Sequence, residues 1–245
     1  MTLLPKIGWY EQYRALGAFE SIDRQIRDRD VVITPRDALD SVIREYSSGG
    51  TDPDGVRLTL APGMYFIKGD TPLVIDRDRI SLVASTPGQS IIMRETAGAT
   101  NPMISVTGSE CSFSGLVFDD SNVNASTRGA CIQISGDNTC VENCQFLNMY
   151  QAIAVDGSDW AVIRGNRLDS VLATNGIRLT GSGNYALVQG NRVNGPGLLA
   201  AIYADDLFAN SSFVGNVTDA SVCVSYKTGL GNADAGNVGS VTVRP

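Results

Sequence analysis

The sequence predicts an all-β fold, a coiled stack of short strands. Two observations carry this expectation. First, a repeat returns from about Asn101 onward. Its clearest copies are Cys111–Phe118 (CSFSGLVF), Thr139–Phe146 (TCVENCQF), Ala161–Leu168 (AVIRGNRL) and Ala186–Val193 (ALVQGNRV), with a shorter one from Ser211 (SSFVGN). Second, an alternating trio recurs beside them: Ile104-Ser105-Val106, Ile132-Gln133-Ile134, Ile153-Ala154-Val155, Ile177-Arg178-Leu179 and Ile202-Tyr203-Ala204. A unit this short cannot bury its own apolar side. Stacking unit on unit buries a continuous core.

Residues 1–33 read as a separate arm or cap. Leu3–Tyr13 carries Trp9, Tyr10 and Tyr13, and Ser21–Asp30 alternates in charge. Ile22 and Ile26 lie four apart, which gives a helix one dry side. Two roles stay open: a helical cap over the end of the stack, or an attachment arm with Trp9, Tyr10 and Tyr13 as assembly contacts. Aromatic anchors bury large area at small ordering cost.

The stacked domain is expected over residues 34–245 and opens with a helix. Thr34 suits the N-cap, Pro35 the first helical position and Asp37 the third. Ala38, Leu39, Val42 and Ile43 supply its apolar face, and Ser47-Ser48-Gly49-Gly50 ends it. Short strands follow at Val56–Leu60, Met64–Ile67, Leu73–Ile75, Ile80–Val83 and Ser90–Met93, each bounded by turn residues. In each trio the outer two residues face inward. The middle residues Ser105, Gln133, Ala154, Arg178 and Tyr203 then form an outer wall.

The repeat proper behaves in the same way. Phe113, Val141, Ile163, Val188 and Phe213 are expected inside, with Ser114, Glu142, Arg164, Gln189 and Val214 mostly outside. Asn166, Asn191 and Asn216 recur at one corner. A buried amide there must bond to backbone and to the amide of the next coil, so an asparagine ladder is expected. The Gly-rich stretch from Gly229 reads as a flexible loop before a last strand, Val241-Thr242-Val243. It lacks the Gly-Lys-Ser/Thr ending of a phosphate loop.

Composition narrows the function classes. The net charge is −7 and no Lys/Arg block exists, which argues against nucleic acid and acidic lipid as partners. No apolar run has the form of a signal peptide or a membrane span. There is no His and no pair of close CxxC motifs, so neither a metal nor another cofactor is expected. The five cysteines, Cys111, Cys131, Cys140, Cys144 and Cys223, are expected as buried or half-buried free thiols.

Taken together, the helix in TPRDALDSVIREY, the passage GVRLTLAPGMYFI, the apolar trios and the Asn-containing turns resemble the right-handed single-stranded parallel β-helix of the pectate lyase-like superfamily. The resemblance covers residues 34–242. It implies one of two roles. One is a noncatalytic structural protein of a bacteriophage virion, displayed on the capsid or tail surface as a homotrimer and held to other virion proteins by the N-terminal arm. The other is a glycan-processing β-helix enzyme, a polysaccharide hydrolase or lyase, or a glycan-binding module that cleaves nothing. The chain has neither the Asn-Thr-Asp, Gly-His-Gly nor Arg-Ile-Lys segments of the polygalacturonase-like members, and it matches only their paired acids, at Asp119-Asp120 and Asp205-Asp206.

The residues themselves offer one candidate site. Hydrolysis needs two carboxyl groups, an acid and a base or nucleophile. Asp156 and Asp205 follow trios two coils apart, about 10 Å along the stack. Arg178 lies between them as a contact for an anionic sugar, and Tyr203 offers a ring for stacking. The competing expectation is structural. Asp156-Gly157-Ser158-Asp159 and Asp205-Asp206 are also good turn sequences, because Asp caps backbone N–H groups.

Overall fold

A computed structural model describes residues 30–47, 55–95, 100–120, 129–169, 171–172, 175–195 and 198–244. These residues form a parallel β-solenoid with one short helix among them. The described strands form three faces, and their pairings between coils are parallel. Trp9, Tyr10, Tyr13, Ile22, Ile26 and most of the Ser121–Gly129 loop lie outside the described residues.

Face 1 is a nine-stranded sheet that includes Asp30–Ile33, Val56–Leu60, Ile80–Ala84, Ser112–Ser114, Cys140–Glu142, Val162–Arg164, Leu187–Gln189, Ser212–Val214 and Ala233–Ala235. Face 2 runs through Gly63–Ile67, Ser90–Arg94, Val117–Asp119, Gln145–Leu147, Arg167–Asp169 and Arg192–Val193. Face 3 runs through Leu73–Ile75, Ile104–Val106, Ala130–Ile134, Gln151–Asp156, Ile177–Thr180 and Ile202–Ala204. The long strand Val217–Lys227 joins faces 2 and 3, pairing with Arg192–Val193 at its start and Ile202–Ala204 near its end. Val238–Arg244 covers it.

The register puts like on like along the core. Phe113, Val141, Ile163, Val188 and Phe213 stack on successive coils of face 1, all fully buried. On face 3 the outer members of each trio stack in the same way, from Ile104 and Val106 to Ile202 and Ala204. On face 2 the rings of Phe118 and Phe146 stack at 5.0 Å. Each such side chain contributes about 1.5–3 kcal/mol of burial.

The corner between faces 1 and 2 is built by a buried amide ladder. The Asn191 side-chain oxygen accepts from the Asn166 backbone N–H at 3.0 Å and from its Nδ2 at 3.0 Å. The Asn191 Nδ2 donates to the Ile163 carbonyl at 2.9 Å. Asn216 repeats these bonds one coil on, and Asn237 extends them to the last coil. Just before the ladder the backbone takes positive φ at Gly165, Gly190, Gly215 and Gly236, and also at Asn143. That conformation favours glycine and tolerates asparagine.

The two ends differ. At the first coils the helix Leu39–Ser47 packs on Gly63–Ile67 and Leu73–Ile75, burying Leu39 and Ile43. At the last coil Asp234 occupies the inward row above Phe213 and accepts the Tyr226 hydroxyl at 2.7 Å. A carboxylate in the final inward position gives the core a polar lid.

Three details depart from the sequence reading. Asp30–Ile33 already pairs with Val56–Leu60, so the β-helix begins before the expected boundary at residue 34. The helix starts at Leu39 rather than after Thr34. The Asp37 carboxylate accepts from the Thr34 N–H at 2.7 Å and the Thr34 hydroxyl at 2.8 Å, and these bonds hold its carboxyl below the usual range. They close a separate turn, and α-helical bonding begins at Ala38. The Gly-rich tail is ordered by Asn232, which bonds Ser211 and Phe208, so Ala233–Ala235 forms the last strand of face 1.

Candidate functional site

Face 3 brings the four predicted residues onto one surface. Ala154, Arg178 and Tyr203 are register partners on successive coils, so their side chains stand in one outer row. Asp156 pairs with Thr180 at the edge of the same face, and Asp205 follows Ala204 one coil further on. The trio alternation is what turns Arg178 and Tyr203 outward, because their neighbours Ile177, Leu179, Ile202 and Ala204 all fill the core.

The partners of these groups decide what the surface does. Asp205 is a turn residue: its Oδ2 accepts from the Gly181 N–H at 3.1 Å and its Oδ1 from the Leu207 N–H at 3.0 Å. Asp156 is exposed and, among the described residues, accepts one long contact, from the Thr180 hydroxyl at 3.4 Å. Arg178 is exposed, and no hydrogen bond or ion pair engages it among the described residues. Tyr203 does not present a bare ring. The Arg244 guanidinium lies over it at 4.4 Å, and Arg244 Nη1 donates to the phenol oxygen at 2.8 Å.

Arg244 is the member of this surface that sequence reasoning missed. It arrives from the final strand, bonds the Ala204 carbonyl and pairs with Asp206 at 2.9 Å. Nothing near Tyr203 in sequence signals it, since the two are 41 residues apart. The row therefore carries two guanidiniums, Arg178 and Arg244, flanked by Asp156, Asp205 and Asp206. The strip is of mixed charge: Arg244 is paired with Asp206, and Arg178 is left to meet an anionic group while the carboxylates can accept from hydroxyls.

The other candidate acids serve the fold. Asp119 accepts from Asn148 Nδ2 at 3.2 Å. Asp120 is buried and faces Arg94 Nε at 3.9 Å, while Arg94 Nη1 donates to the Asn101 carbonyl at 2.9 Å. Asp137 and Asp159 cap the backbone N–H groups of Asp159 and Asn184 on the next coils, at 2.8 and 2.7 Å.

All five cysteines are buried and free, as expected. Burial pushes the thiols of Cys111 and Cys144 up to about 12 and that of Cys223 up to about 11. It raises Cys131 and Cys140 as well. Among the described residues no group of three or more His, Cys, Asp or Glu side chains is arranged to hold a metal ion.

No protein-family model matches the chain, and no curated protein matches it. Solved structures with the same fold include the catalytic domain of a GH87 alpha-1,3-glucanase in complex with nigerose (TM-score 0.60, 14% identity, 85% of this chain and 39% of that one). A PL6 alginate lyase in complex with a trisaccharide aligns with TM-score 0.58 and 12% identity, over 84% of this chain and 50% of that one. DFA-IIIase from Arthrobacter chlorophenolicus A6 aligns with TM-score 0.61 and 15% identity, over 80% of this chain and 55% of that one. The chain thus spans about 39 to 55% of the length of these proteins. At such identities the likeness is one of fold: the chain is a parallel β-helix with the architecture of these carbohydrate-active enzymes.

Proposed function

We propose that this protein is a glycan-binding β-helix that takes an anionic saccharide along face 3. The observation that carries this is Arg178: an exposed guanidinium that the fold does not use, held in register beside the Arg244-covered Tyr203. Arg178 bonds a sugar carboxylate or sulfate, and Asp156 accepts from hydroxyls. The solved structures of similar fold include a glucanase and an alginate lyase, which supports a saccharide as the ligand; that it is anionic rests on Arg178.

Binding without cleavage fits better than the acid–base pair. Both oxygens of Asp205 are engaged by backbone N–H groups of its own turn and the neighbouring one, so its position is explained without chemistry. The test is a calorimetric titration with acidic and neutral oligosaccharides, paired with an assay for cleavage products. Acidic oligosaccharides bind, Arg178→Ala weakens them by about tenfold, and no products form. Products abolished by Asp156→Asn and by Asp205→Asn establish a polysaccharide hydrolase or lyase instead. Failure of any saccharide to bind removes the reading.

A second reading is a noncatalytic structural protein at a bacteriophage virion surface. It is favoured by how many acids are committed to the coils, Asp137, Asp159 and Asp205 among them. It assigns attachment to Trp9, Tyr10 and Tyr13. Replacing Trp9 and Tyr10 by Ala then abolishes assembly onto a capsid or tail and leaves the β-sheet circular dichroism intact.

A further inference from the structure

Face 2 has an outer surface whose composition changes along the stack. Its outward side chains stand in two columns. One column begins with Met64 and Ile91 and reaches Arg167 and Arg192. The other begins with Phe66 and Met93 and reaches Asp169. Met64 and Phe66 are 52% and 42% exposed, which is a high value for two large apolar neighbours on a parallel sheet. Parallel sheets are ordinarily covered on both faces. Arg167 and Arg192 are direct register partners, and like charges stacked at strand spacing are unfavourable unless something opposes them. Among the described residues Arg167 pairs with Asp169 at 2.5 Å, and Arg192 Nε donates to the Asn194 side-chain oxygen at 3.1 Å.

We propose that face 2 is a self-association surface, and that two copies pack face to face about a twofold axis parallel to the stack. That axis keeps equal heights together and exchanges the two columns. Met64 and Ile91 then meet Phe66 and Met93 of the second copy, apolar on apolar. Further along, Arg167 meets the second copy's Asp169, and its own Asp169 meets the second copy's Arg167. An interface of this kind is self-complementary: apolar residues meet apolar ones and each charge meets its opposite. Antiparallel stacks centred on this face would set the apolar end against the charged end. A threefold axis parallel to the stack would also set one column against the other, but with the two faces inclined so that only their edges meet; flat contact along both columns at once needs the twofold.

The experiment is light scattering of the full chain across the micromolar range, with circular dichroism as a check on folding. The wild type has twice the mass of one chain. Phe66→Glu and Arg167→Asp are surface changes, and each weakens the dimer by about tenfold or more. Asp169→Arg does the same. Mixing the Arg167→Asp chain with the Asp169→Arg chain restores a dimer containing one of each, because opposite charges again face each other across the axis. A repair within one chain cannot produce that result. A monomeric or trimeric wild type, or a mixture that stays monomeric while both variants are folded, overturns the proposal.

Discussion

At the residue scale, the clearest case is Asn191. It is fully buried, and both ends of its amide are bonded between coils. Asn191→Ala leaves the Asn166 N–H and the Ile163 carbonyl without their partner, at roughly 1–3 kcal/mol for each group stranded. Chemical denaturation reads this as a lower midpoint with an unchanged slope. The ladder was legible in sequence because Asn166, Asn191 and Asn216 recur at fixed offsets from an inward residue. The role of Asp205 was not, because Asp-Asp serves a turn and an active site equally well. Only the two N–H groups at its oxygens separate them. The cysteines make a second prediction. With every thiol buried and its ionisation suppressed, a thiol reagent at neutral pH labels none in the folded protein and five after unfolding. Tyr226 makes a third. Burial first, then its bond to Asp234, raise its hydroxyl from 10.0 to about 12. The native state holds that proton more tightly, so this contribution is complete below pH 10 and is lost as pH rises to about 12. In Tyr226→Phe, the fall of the denaturation midpoint over that alkaline range is shallower than in the wild type.

At the element scale, the coil is the unit, and its corners are as close-packed as its core. A side chain at Gly136 would run into the carbonyl of Gly108 on the preceding coil. Gly136→Ala therefore forces two coils apart and destabilises by about 1–3 kcal/mol, measurable as a lower melting temperature. The trios of face 3 and the inward rows of face 1 were legible because alternation shows over three or more residues. The first two strands of face 2, at Met64–Ile67 and Ser90–Met93, were legible, but the later ones did not stand out. Gln145–Leu147 and Arg167–Asp169 each place one core residue, Phe146 or Leu168, between outward ones. A single apolar position carries no period. The helix start was misplaced for a related reason. Thr34, Pro35 and Asp37 satisfy the rules for a helix N-terminus, but the same Thr–Asp bonds also close an isolated turn.

At the scale of the whole molecule, repetition makes architecture legible and function obscure. Stacking demands similar residues at equivalent positions, so the solenoid announces itself through Ile, Val, Gly and Asn. A binding surface on a solenoid is assembled from single outward residues on separate coils, and Arg244 shows how far apart these are in the chain. Arg178 was visible as an outward residue of its trio. That no hydrogen bond or ion pair engages it among the described residues, and that Arg244 covers Tyr203, is visible only in three dimensions. The proposed saccharide surface on face 3 is tested by a crystal structure of the protein soaked with the acidic oligosaccharide that binds best in solution. The sugar is expected across the outer row of face 3, with its anionic group on Arg178. A sugar seated on face 1 or face 2, with Arg178 untouched, would contradict it.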